Sequence, residues 1–417
     1  MDDPAPATAA PAIDARPADS PPLGFREFVA LIAALMALTA LGIDSMLPAL
    51  PAIGESLGVA GANDRQFIIT VFLIGFGVAQ LVHGPLADRY GRKPVLGIAL
   101  AAYVVANIVA AFSSSFVLLL VARFVGGTAI AASRVVTVAL VRDCYSGRAM
   151  ARVMSLAFIV FMAAPVLAPT FGQAVLLVGS WRMIFWGIAA VSAAILLWFW
   201  IRMPETQHAA DRQPFSVGRL GQGWRLTLTD RYSIGYTLAS AALMGGLYGF
   251  INSIQQIVFD IFKRPDLLVP IFAATAGMMA IANLLNSRMV MKLGTRLISH
   301  SALVGLIVLA GTHLAITLAG VENLWSFTIL QALMMACFGL STSNFGAMAM
   351  ANMGHIAGTA SSVQGFITVT AGALLGAFVG QQFNGTTIPL YLGFFVAGLV
   401  ALAIVFVVER GRLFRPA

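Results

Sequence analysis

Residues 84–95 read Gly-Pro-Leu-Ala-Asp-Arg-Tyr-Gly-Arg-Lys-Pro-Val and place four charged side chains in the six positions 88–93. Long apolar runs flank this segment, and only 10% of the 417 residues are charged. Because charged side chains are costly in hydrocarbon, we predict a water-exposed turn between two membrane helices. The three cations of the segment predict that this turn lies on the cytoplasmic side.

The composition is that of an integral membrane protein. Hydrophobic residues make up 59% of the chain, whereas soluble domains contain about 45–50% apolar and about 25% charged residues. A spanning helix needs about 20 apolar residues, and the apolar runs of this chain predict twelve such helices. The predicted helices are 26–48, 66–86, 94–113, 116–141, 151–178, 183–202, 232–258, 267–291, 297–318, 324–350, 357–382 and 388–408.

A polar segment divides the predicted helices into two sets of six. Residues 203–231 contain Pro204, Pro214 and several arginines, and the basic turn 287–296 has the place in the second set that 84–95 has in the first. Two parallel six-helix halves are typical of secondary transporters, so we predict an all-α membrane protein with two pseudo-symmetric six-helix bundles. The predicted organisation is a disordered cytoplasmic tail (1–24), an N-terminal bundle (25–202), a cytoplasmic linker (203–231), a C-terminal bundle (232–409) and a cytoplasmic tail (410–417).

The distribution of cations predicts the orientation and argues against several functions. Most of the 25 lysines and arginines lie in turns on one side, which predicts that both termini are cytoplasmic. They form no single basic face, so the net charge of +8 does not indicate a nucleic-acid partner. Cys144 and Cys337 have no neighbours that suggest a disulfide or a metal site. The absence of a Walker-type phosphate loop from the sequence disfavours ATP-driven transport.

Several segments match motifs of a known family. Residues 84–93 fit the signature Gly-x-x-x-Asp-Arg-x-Gly-Arg-Lys, and residues 123–127 fit Arg-x-x-Gln-Gly with glycine at the fourth position. Residues 164–173 resemble Gly-Pro-x-x-Gly-Gly, with Ala168 and Gln173 in place of two glycines. The chain thus resembles the major facilitator superfamily and, within it, the Bcr/CflA branch of drug–proton antiporters. This branch is also suggested by residues 44–51, 141–143 and 354–362.

The resemblance implies a proton-coupled exporter in the bacterial inner membrane. Its cargo would be amphipathic drugs, neutral, zwitterionic or weakly anionic like chloramphenicol or bicyclomycin, moved by alternating access. The implied partners are cargo, protons and lipid, with no cofactor or metal, and a monomer suffices. An enzyme is not expected, because titratable groups do not cluster apart from Asp44 and Arg123. The alternatives are a uniporter or importer of a small metabolite in the same fold, and a membrane sensor that binds ligand without moving it.

Asp44 and Arg123 are the predicted proton-coupling residues. Asp44 lies in the outer half of the first predicted helix, where a carboxylate is costly unless it is protonated or paired. Arg123 lies at a similar depth in the fourth helix, so we expect an ion pair between the two. In this hypothesis protonation of Asp44 releases Arg123, and proton and cargo compete for the site. The alternative is that Asp44 only caps a helix end near Pro48 or meets water.

Arg134 is expected to share the cavity with Arg123. Eleven residues separate the two, which returns Arg134 to nearly the same helix face. Two guanidiniums facing one acid would disfavour permanently cationic cargo. Alternatively, Arg134 extends to the cytoplasmic surface or pairs with Asp143. The rest of the cavity wall is predicted to be amphipathic, although each residue could instead serve helix packing: Tyr248, Asn252, Gln256, Gln331, Met335, Phe338 and Asn344.

The opening segment is predicted to be a cytoplasmic gate rather than a binding site. We expect Asp88 to accept backbone N–H groups at a helix start and to pair with an arginine, which would lock the cytoplasmic side. Gly84 should allow the second and eleventh helices to approach closely, and the basic residues should meet anionic lipid. The predicted gate residues are Gly84, Asp88, Arg89, Gly91, Arg92 and Lys93.

The fifth predicted helix contains the antiporter-like motif. Pro165, Pro169 and Gly172 interrupt its regular backbone hydrogen bonding, and the resulting bend is expected to help seal the cytoplasmic side. The alternative is a static kink, which costs little where neighbouring helices satisfy the freed carbonyls.

Overall fold

A computed structural model describes residues 23–207, 212 and 217–415 of the chain. Within these ranges the chain is helical and contains no β-strand. The predicted N-terminal tail lies almost entirely outside the described residues, as do parts of the linker. The α-helices are α1 (Phe25–Asp44), α2 (Leu50–Ser56), α3 (Phe67–Tyr90), α4 (Arg92–Ala111), α5 (Phe116–Cys144), α6 (Gly147–Val178), α7 (Arg182–Arg202), α8 (Val217–Thr229), α9 (Arg231–Gln256), α10 (Leu268–Leu293), α11 (Thr295–Leu318), α12 (Leu324–Met350), α13 (Ala357–Gln381) and α14 (Ile388–Val408).

Twelve segments of the described chain are long and apolar enough to cross a membrane. The first runs through α1, a short break and α2, and the others are built on α3 to α7 and α9 to α14. This confirms the twelve predicted helices. With an even number of spans, α1 begins and α14 ends on the same side of the membrane. We call this side the terminal side, and the other the opposite side.

The turn predicted at 84–95 is much shorter in the structure. Helix α3 continues to Tyr90 and α4 begins at Arg92, so Gly91 alone connects them. Gly91 has a φ of 102°, a backbone conformation that glycine adopts without steric strain. The charged residues therefore lie on the last turn of one helix and the first turn of the next, where they can reach water. Pro94 is compatible with α4 because it lies in the first turn.

An unpredicted helix, α8, occupies part of the polar linker. Gly223 and Thr227 are buried, and a Cβ atom added at Gly223 would lie 2.8 Å from Cγ2 of Thr359 on α13. Trp224 and Leu228 are exposed on α8. The spacing of Leu220, Trp224 and Leu228 is that of one helix face, but the glycines of this segment conceal the pattern in the sequence.

Glycines bring the membrane helices into backbone contact. A Cβ atom at Gly127 of α5 would collide with the carbonyl oxygen of Phe72 on α3. In the second half, a Cβ atom at Gly376 of α13 would lie 2.8 Å from the backbone nitrogen of Gly249 on α9. Helices α3 and α13 also pack against each other across the two halves. At Gly84 an added Cβ atom would lie 3.3 Å from Oγ of Ser362, in agreement with the expected close approach.

Candidate functional site

A cavity of about 2540 Å³ lies between the two halves of the chain. Its wall includes residues of α1, α3, α5 and α6 from the first half and of α9, α10 and α12 from the second. Asp143, Glu205 and His355, near helix ends on the terminal side, line one end of it. The lining residues farthest from that side are Asp44 on α1 and Ile251 on α9. The cavity therefore opens toward the terminal side and ends inside the membrane-spanning region.

Amide side chains close the opposite side. Nε2 of Gln66 donates to Oε1 of Gln256 at 2.6 Å and to the carbonyl of Gly380 at 3.0 Å. Nε2 of Gln256 donates to Oδ1 of Asn63 at 2.8 Å, and Nδ2 of Asn63 donates to the carbonyl of Gln381 at 3.0 Å. We call Asn63, Gln66, Gln256 and Gln381 the amide latch. It connects the two halves by hydrogen bonds among uncharged groups.

Asp44 lies at the inner end of the cavity, where α1 ends. Its side chain is buried, and its Oδ1 atom has no hydrogen-bond partner. The chain then passes through a break that contains Pro48 before α2 begins. An ionised carboxylate in such a position is costly, because neither water nor a donor satisfies it fully. Asp44 is thus placed to exchange a proton or to meet a group of a bound molecule.

The expected ion pair between Asp44 and Arg123 is absent from the described residues. Arg123 is buried and donates from Nη2 to the carbonyl of Gly42 at 2.8 Å and from Nε to that of Ile68 at 3.1 Å. Its guanidinium carbon also lies 4.1 Å from the ring centroid of Phe72. The last turn of a helix leaves carbonyls unpaired, and Arg123 satisfies one of them in α1, two residues before Asp44. Arg123 contacts the backbone next to Asp44 and not its carboxylate.

Arg134 reaches the cavity, whereas Arg123 is not part of its wall. The expectation of two guanidiniums facing the cavity is therefore wrong. A shared helix face did not determine that Arg123 would find its acceptors in the backbone of α1 and α3. The alternative pairing of Arg134 with Asp143 is also wrong, because Asp143 accepts from Nε of Arg92 at 3.2 Å and from Thr206 at 3.1 Å. Within the described part of the chain, Arg134 has no ion-pair partner.

The other predicted wall residues separate into two groups. Tyr248 and Phe338 line the cavity. The remaining five lie elsewhere. Gln256 belongs to the amide latch, and Asn252 donates to Thr70 at 3.4 Å beneath it. Gln331 accepts from Tyr391 at 3.2 Å, Met335 is buried, and Asn344 lies behind the wall, where it donates to Asn286 at 2.9 Å.

Several wall residues were not predicted. They are methionines, which suit varied apolar surfaces, and small polar residues, which can orient a ligand. On α10, Asn283 and Asn286 are three residues apart in an otherwise apolar stretch, a spacing that could have identified them. The unpredicted wall residues include Met36, Thr39, Gln80, Met154, Met162, Met279, Asn283, Asn286 and Ser343.

The predicted gate is a network of charged groups around the single-residue turn. Nη1 of Arg92 contacts Oδ1 of Asp88 at 2.5 Å, and Nε of Arg92 contacts Asp143 at 3.2 Å. We expected Asp88 to accept the first N–H groups of α4, and this expectation is wrong. Glu205, just beyond α7, accepts them from Arg92 at 2.9 Å and from Lys93 at 3.2 Å.

Glu205 was missed because it lies far from this turn in the sequence. A Cβ atom at Gly91 would collide with its carboxylate, so the turn requires glycine for space as well as for φ. The remaining cations of the turn stack on aromatic rings. The guanidinium of Arg89 lies 5.1 Å from the ring centroid of Tyr90, and Nζ of Lys93 lies 5.2 Å from that of Trp200.

The antiporter-like motif of α6 lies next to the break after α1. Pro165 lines the cavity, and Pro169 lies one turn farther along the helix. A Cβ atom at Gly172 would collide with the carbonyl oxygen of Ser45 and lie 3.1 Å from Pro48. The motif thus packs beside Asp44, at the inner end of the cavity and away from its opening.

Comparisons with known proteins are consistent with one another. The profile of the Major Facilitator Superfamily matches residues 32–377. The bicyclomycin resistance protein homolog of Haemophilus influenzae is 30% identical over 366 residues, 87% of this chain and 91% of that protein. The multidrug resistance protein MdtL of Escherichia coli is 28% identical over 388 residues, 91% of this chain and 95% of that protein. A solved bacterial homologue of the human lysosomal transporter Spinster covers 93% of this chain and 97% of its own, with a TM-score of 0.72 and 14% identity.

Proposed function

Because the chain belongs to the major facilitator superfamily, we propose that it exports amphipathic compounds in exchange for protons across a bacterial inner membrane. The terminal side would face the cytoplasm, so the described state would be open inward. The observation that carries the proposal is the position of Asp44, a buried acid with an unpartnered Oδ1 at the inner end of a large cavity. The names of two relatives, a bicyclomycin resistance protein homolog and a multidrug resistance protein, support export as the direction.

Alternating access links this state to transport. Cargo enters the cavity from the cytoplasm while the amide latch is closed. Closure of the cytoplasmic side and opening of the latch then expose Asp44 and the cargo to the outside. A proton taken up there neutralises Asp44, and its release inside after the return completes the cycle. Asp44 is the proton-carrying group in this scheme.

Arg123 would act on coupling as a positioning residue. It hydrogen-bonds the carbonyl of Gly42 at 2.8 Å, so it fixes the end of α1 and hence the direction of the Asp44 side chain. Gly172 fixes the same region from α6, because its missing side chain makes room for Ser45. These contacts fix the backbone around Asp44 and leave its carboxyl group without an ion-pair partner in the described chain. The carboxyl group can therefore change charge without breaking an ion pair.

The gate network would keep the cytoplasmic ends of α3 and α4 together as one unit. Asp88, Arg92, Asp143 and Glu205 form hydrogen bonds to charged groups, which are stronger than neutral ones. All of them belong to the first half or to the start of the linker, so they stabilise that half by itself. Movement toward the second half would occur near Gly84, where α3 meets α13.

The cavity favours neutral, zwitterionic or weakly anionic cargo. Arg134 offers a guanidinium without an ion-pair partner in the described chain, while Asp44 is almost completely buried. A permanently cationic compound would therefore meet an exposed like charge before it reached the acid. Methionines and aromatic residues such as Phe338 supply the adaptable apolar surface.

Drug-stimulated proton movement in proteoliposomes tests this proposal. An interior pH dye follows proton flux in response to chloramphenicol, for wild type, Asp44→Asn and the control Glu55→Gln, an exposed acid on α2. We expect proton flux to fall at least about tenfold in Asp44→Asn and to be unchanged in Glu55→Gln. Flux retained in Asp44→Asn would refute the role of Asp44. Cargo movement without proton flux in wild type would indicate a uniporter, and binding without movement a sensor.

A further inference from the structure

The wall that the second half contributes to the cavity is polar but uncharged in one area. Asn283 and Asn286 on α10 and Ser343 on α12 line the cavity together. Asp44 and Arg134 belong to the first half, so these two charged groups and this neutral area lie on different halves. A molecule that spans the cavity would meet ionisable groups on one side and amide or hydroxyl groups on the other.

Hydrogen bonds hold Asn286 in a fixed orientation. Nδ2 of Asn344 donates to Oδ1 of Asn286 at 2.9 Å and to the carbonyl of Leu340 at 2.7 Å. With its oxygen engaged, Asn286 directs its Nδ2 toward Oγ of Ser343 at 3.4 Å, a long contact. Ser343 in turn donates to the carbonyl of Gly339 at 2.7 Å, so the lone pair of its Oγ that does not face Asn286 is free to accept. The second half thus offers a prearranged donor and acceptor at the cavity surface.

Asn283 lies one helical turn away from Asn286 and has no side-chain hydrogen bond within the described ranges. Its Oδ1 atom is sealed from solvent without a partner. Gly339 leaves room beside it, because an added Cβ atom there would lie 3.1 Å from Nδ2 of Asn283. A polar group in an apolar surrounding that lacks a partner costs free energy. Because Oδ1 is sealed from the cavity, a ligand there meets Nδ2 of Asn283, which has no acceptor within the described ranges and can donate to a ligand oxygen.

We propose that Asn283, Asn286 and Ser343 form an amide subsite that binds a hydroxyl group of an uncharged cargo. The inference rests on the proposed transport function and specifies which cargo the cavity selects. Buried sites built to hydrogen-bond a substrate hydroxyl discriminate strongly against analogues that lack it, because the groups of the site are then left unpaired. Compounds that carry only apolar surface or a permanent cation have nothing to offer this subsite.

A ligand–protein double-mutant cycle tests the subsite. Binding of chloramphenicol, which is neutral and has two hydroxyl groups and an amide, is compared with that of its diacetate, in which both hydroxyl groups are blocked. Titration calorimetry on the detergent-solubilised full chain measures both affinities for wild type and Asn283→Leu. Asn384→Leu, an exposed asparagine on the opposite side, is the matched control. Asn283→Gln retains an amide and tests rescue.

We expect wild type and Asn384→Leu to bind chloramphenicol about 3- to 10-fold more tightly than the diacetate, the factor that corresponds to one hydrogen bond. In Asn283→Leu this preference should vanish while the diacetate binds as before, and Asn283→Gln should restore part of it. Equal preference in wild type and Asn283→Leu, or no binding of chloramphenicol to wild type, would overturn the subsite. Because binding in detergent needs no proton gradient, failure of proton coupling in vesicles is a separate result.

Discussion

Substitution of Gln66 by leucine should open the side of the molecule that the amide latch closes. Gln66 donates across the halves to Gln256 at 2.6 Å and to the carbonyl of Gly380 at 3.0 Å. Leucine has a similar volume, so packing is largely kept while both hydrogen bonds are lost. The affected contacts exist only while the opposite side is closed, so the variant destabilises this state selectively.

The size of the effect follows from the two hydrogen bonds. Each contributes about 0.5–1.5 kcal/mol net, so their loss should destabilise the closed latch by about 1–3 kcal/mol. Since about 1.4 kcal/mol corresponds to a tenfold change in an equilibrium constant, the ratio of open to closed latch should rise about 5- to 150-fold. A shift of that size turns a minor population into one that can be measured.

Distances between spin labels across the latch measure this shift. Labels on cysteines at Glu55 and Asn384, both exposed and near the opposite side, report on the two halves, after replacement of the native Cys144 and Cys337. In Gln66→Leu we expect a longer distance to gain population.

The matched control is Gln382→Leu, because Gln382 is an exposed neighbour of the latch on the second half. Its distance distribution should match that of the unsubstituted protein. An unchanged distribution in Gln66→Leu would show that the latch amides do not hold the two halves together.

Three further variants test other contacts. Glu205→Ala removes the acceptor for two N–H groups of α4 and should lower the free energy of unfolding, measured in detergent, by about 1–3 kcal/mol. Gly172→Ala forces a methyl group against the carbonyl of Ser45 and should lower the free energy of unfolding by about 1–3 kcal/mol. The variant should keep the fold but show reduced proton flux in vesicles. Burial alone would raise the pKa of Glu409, but the hydrogen bonds from Arg296 at 2.8 Å and Tyr236 at 2.6 Å, together with the charge of Arg296, outweigh burial, and the pKa is lowered from 4.5. Glu409→Gln should therefore lower the melting temperature above pH 4.5, and the difference from wild type should disappear as the pH falls through the lowered pKa.

The membrane-spanning helices could be predicted because the bilayer requires long apolar segments. Each predicted helix appears in the structure, since twenty apolar residues have few alternatives in hydrocarbon. Polar segments lack this constraint, and there the predictions were less accurate. Residues 84–95 were predicted to form a turn, yet the positive φ of Gly91 allows both helices to extend until this one residue separates them. The helix at 217–229 went unnoticed because its glycines disguise an amphipathic pattern.

The cavity wall was harder to predict because it depends on side-chain direction and on conformation. Arg123 and Arg134 share a helix face, yet the carbonyls of α1 and α3 draw Arg123 out of the cavity. Asn252 and Gln256 were predicted as wall residues, and in this state they lie in the closed interface. That they line the cavity when the latch is open stays a prediction.

The two sides of the molecule at which the cavity opens and closes differ in charge, and this difference bears on how protons would drive the proposed cycle. The four latch side chains are uncharged amides, so their hydrogen bonds do not change with pH. The network around Arg92, in contrast, consists of charged groups on the terminal side, and its contacts hold the first half together. Asp44 lies between the two sides, buried, and beside the break that Gly172 contacts. A change of its charge can alter the packing of α1 against α6 while both sides keep their contacts, so within this scheme Asp44 is the group best placed to couple protons to the movement of the two halves.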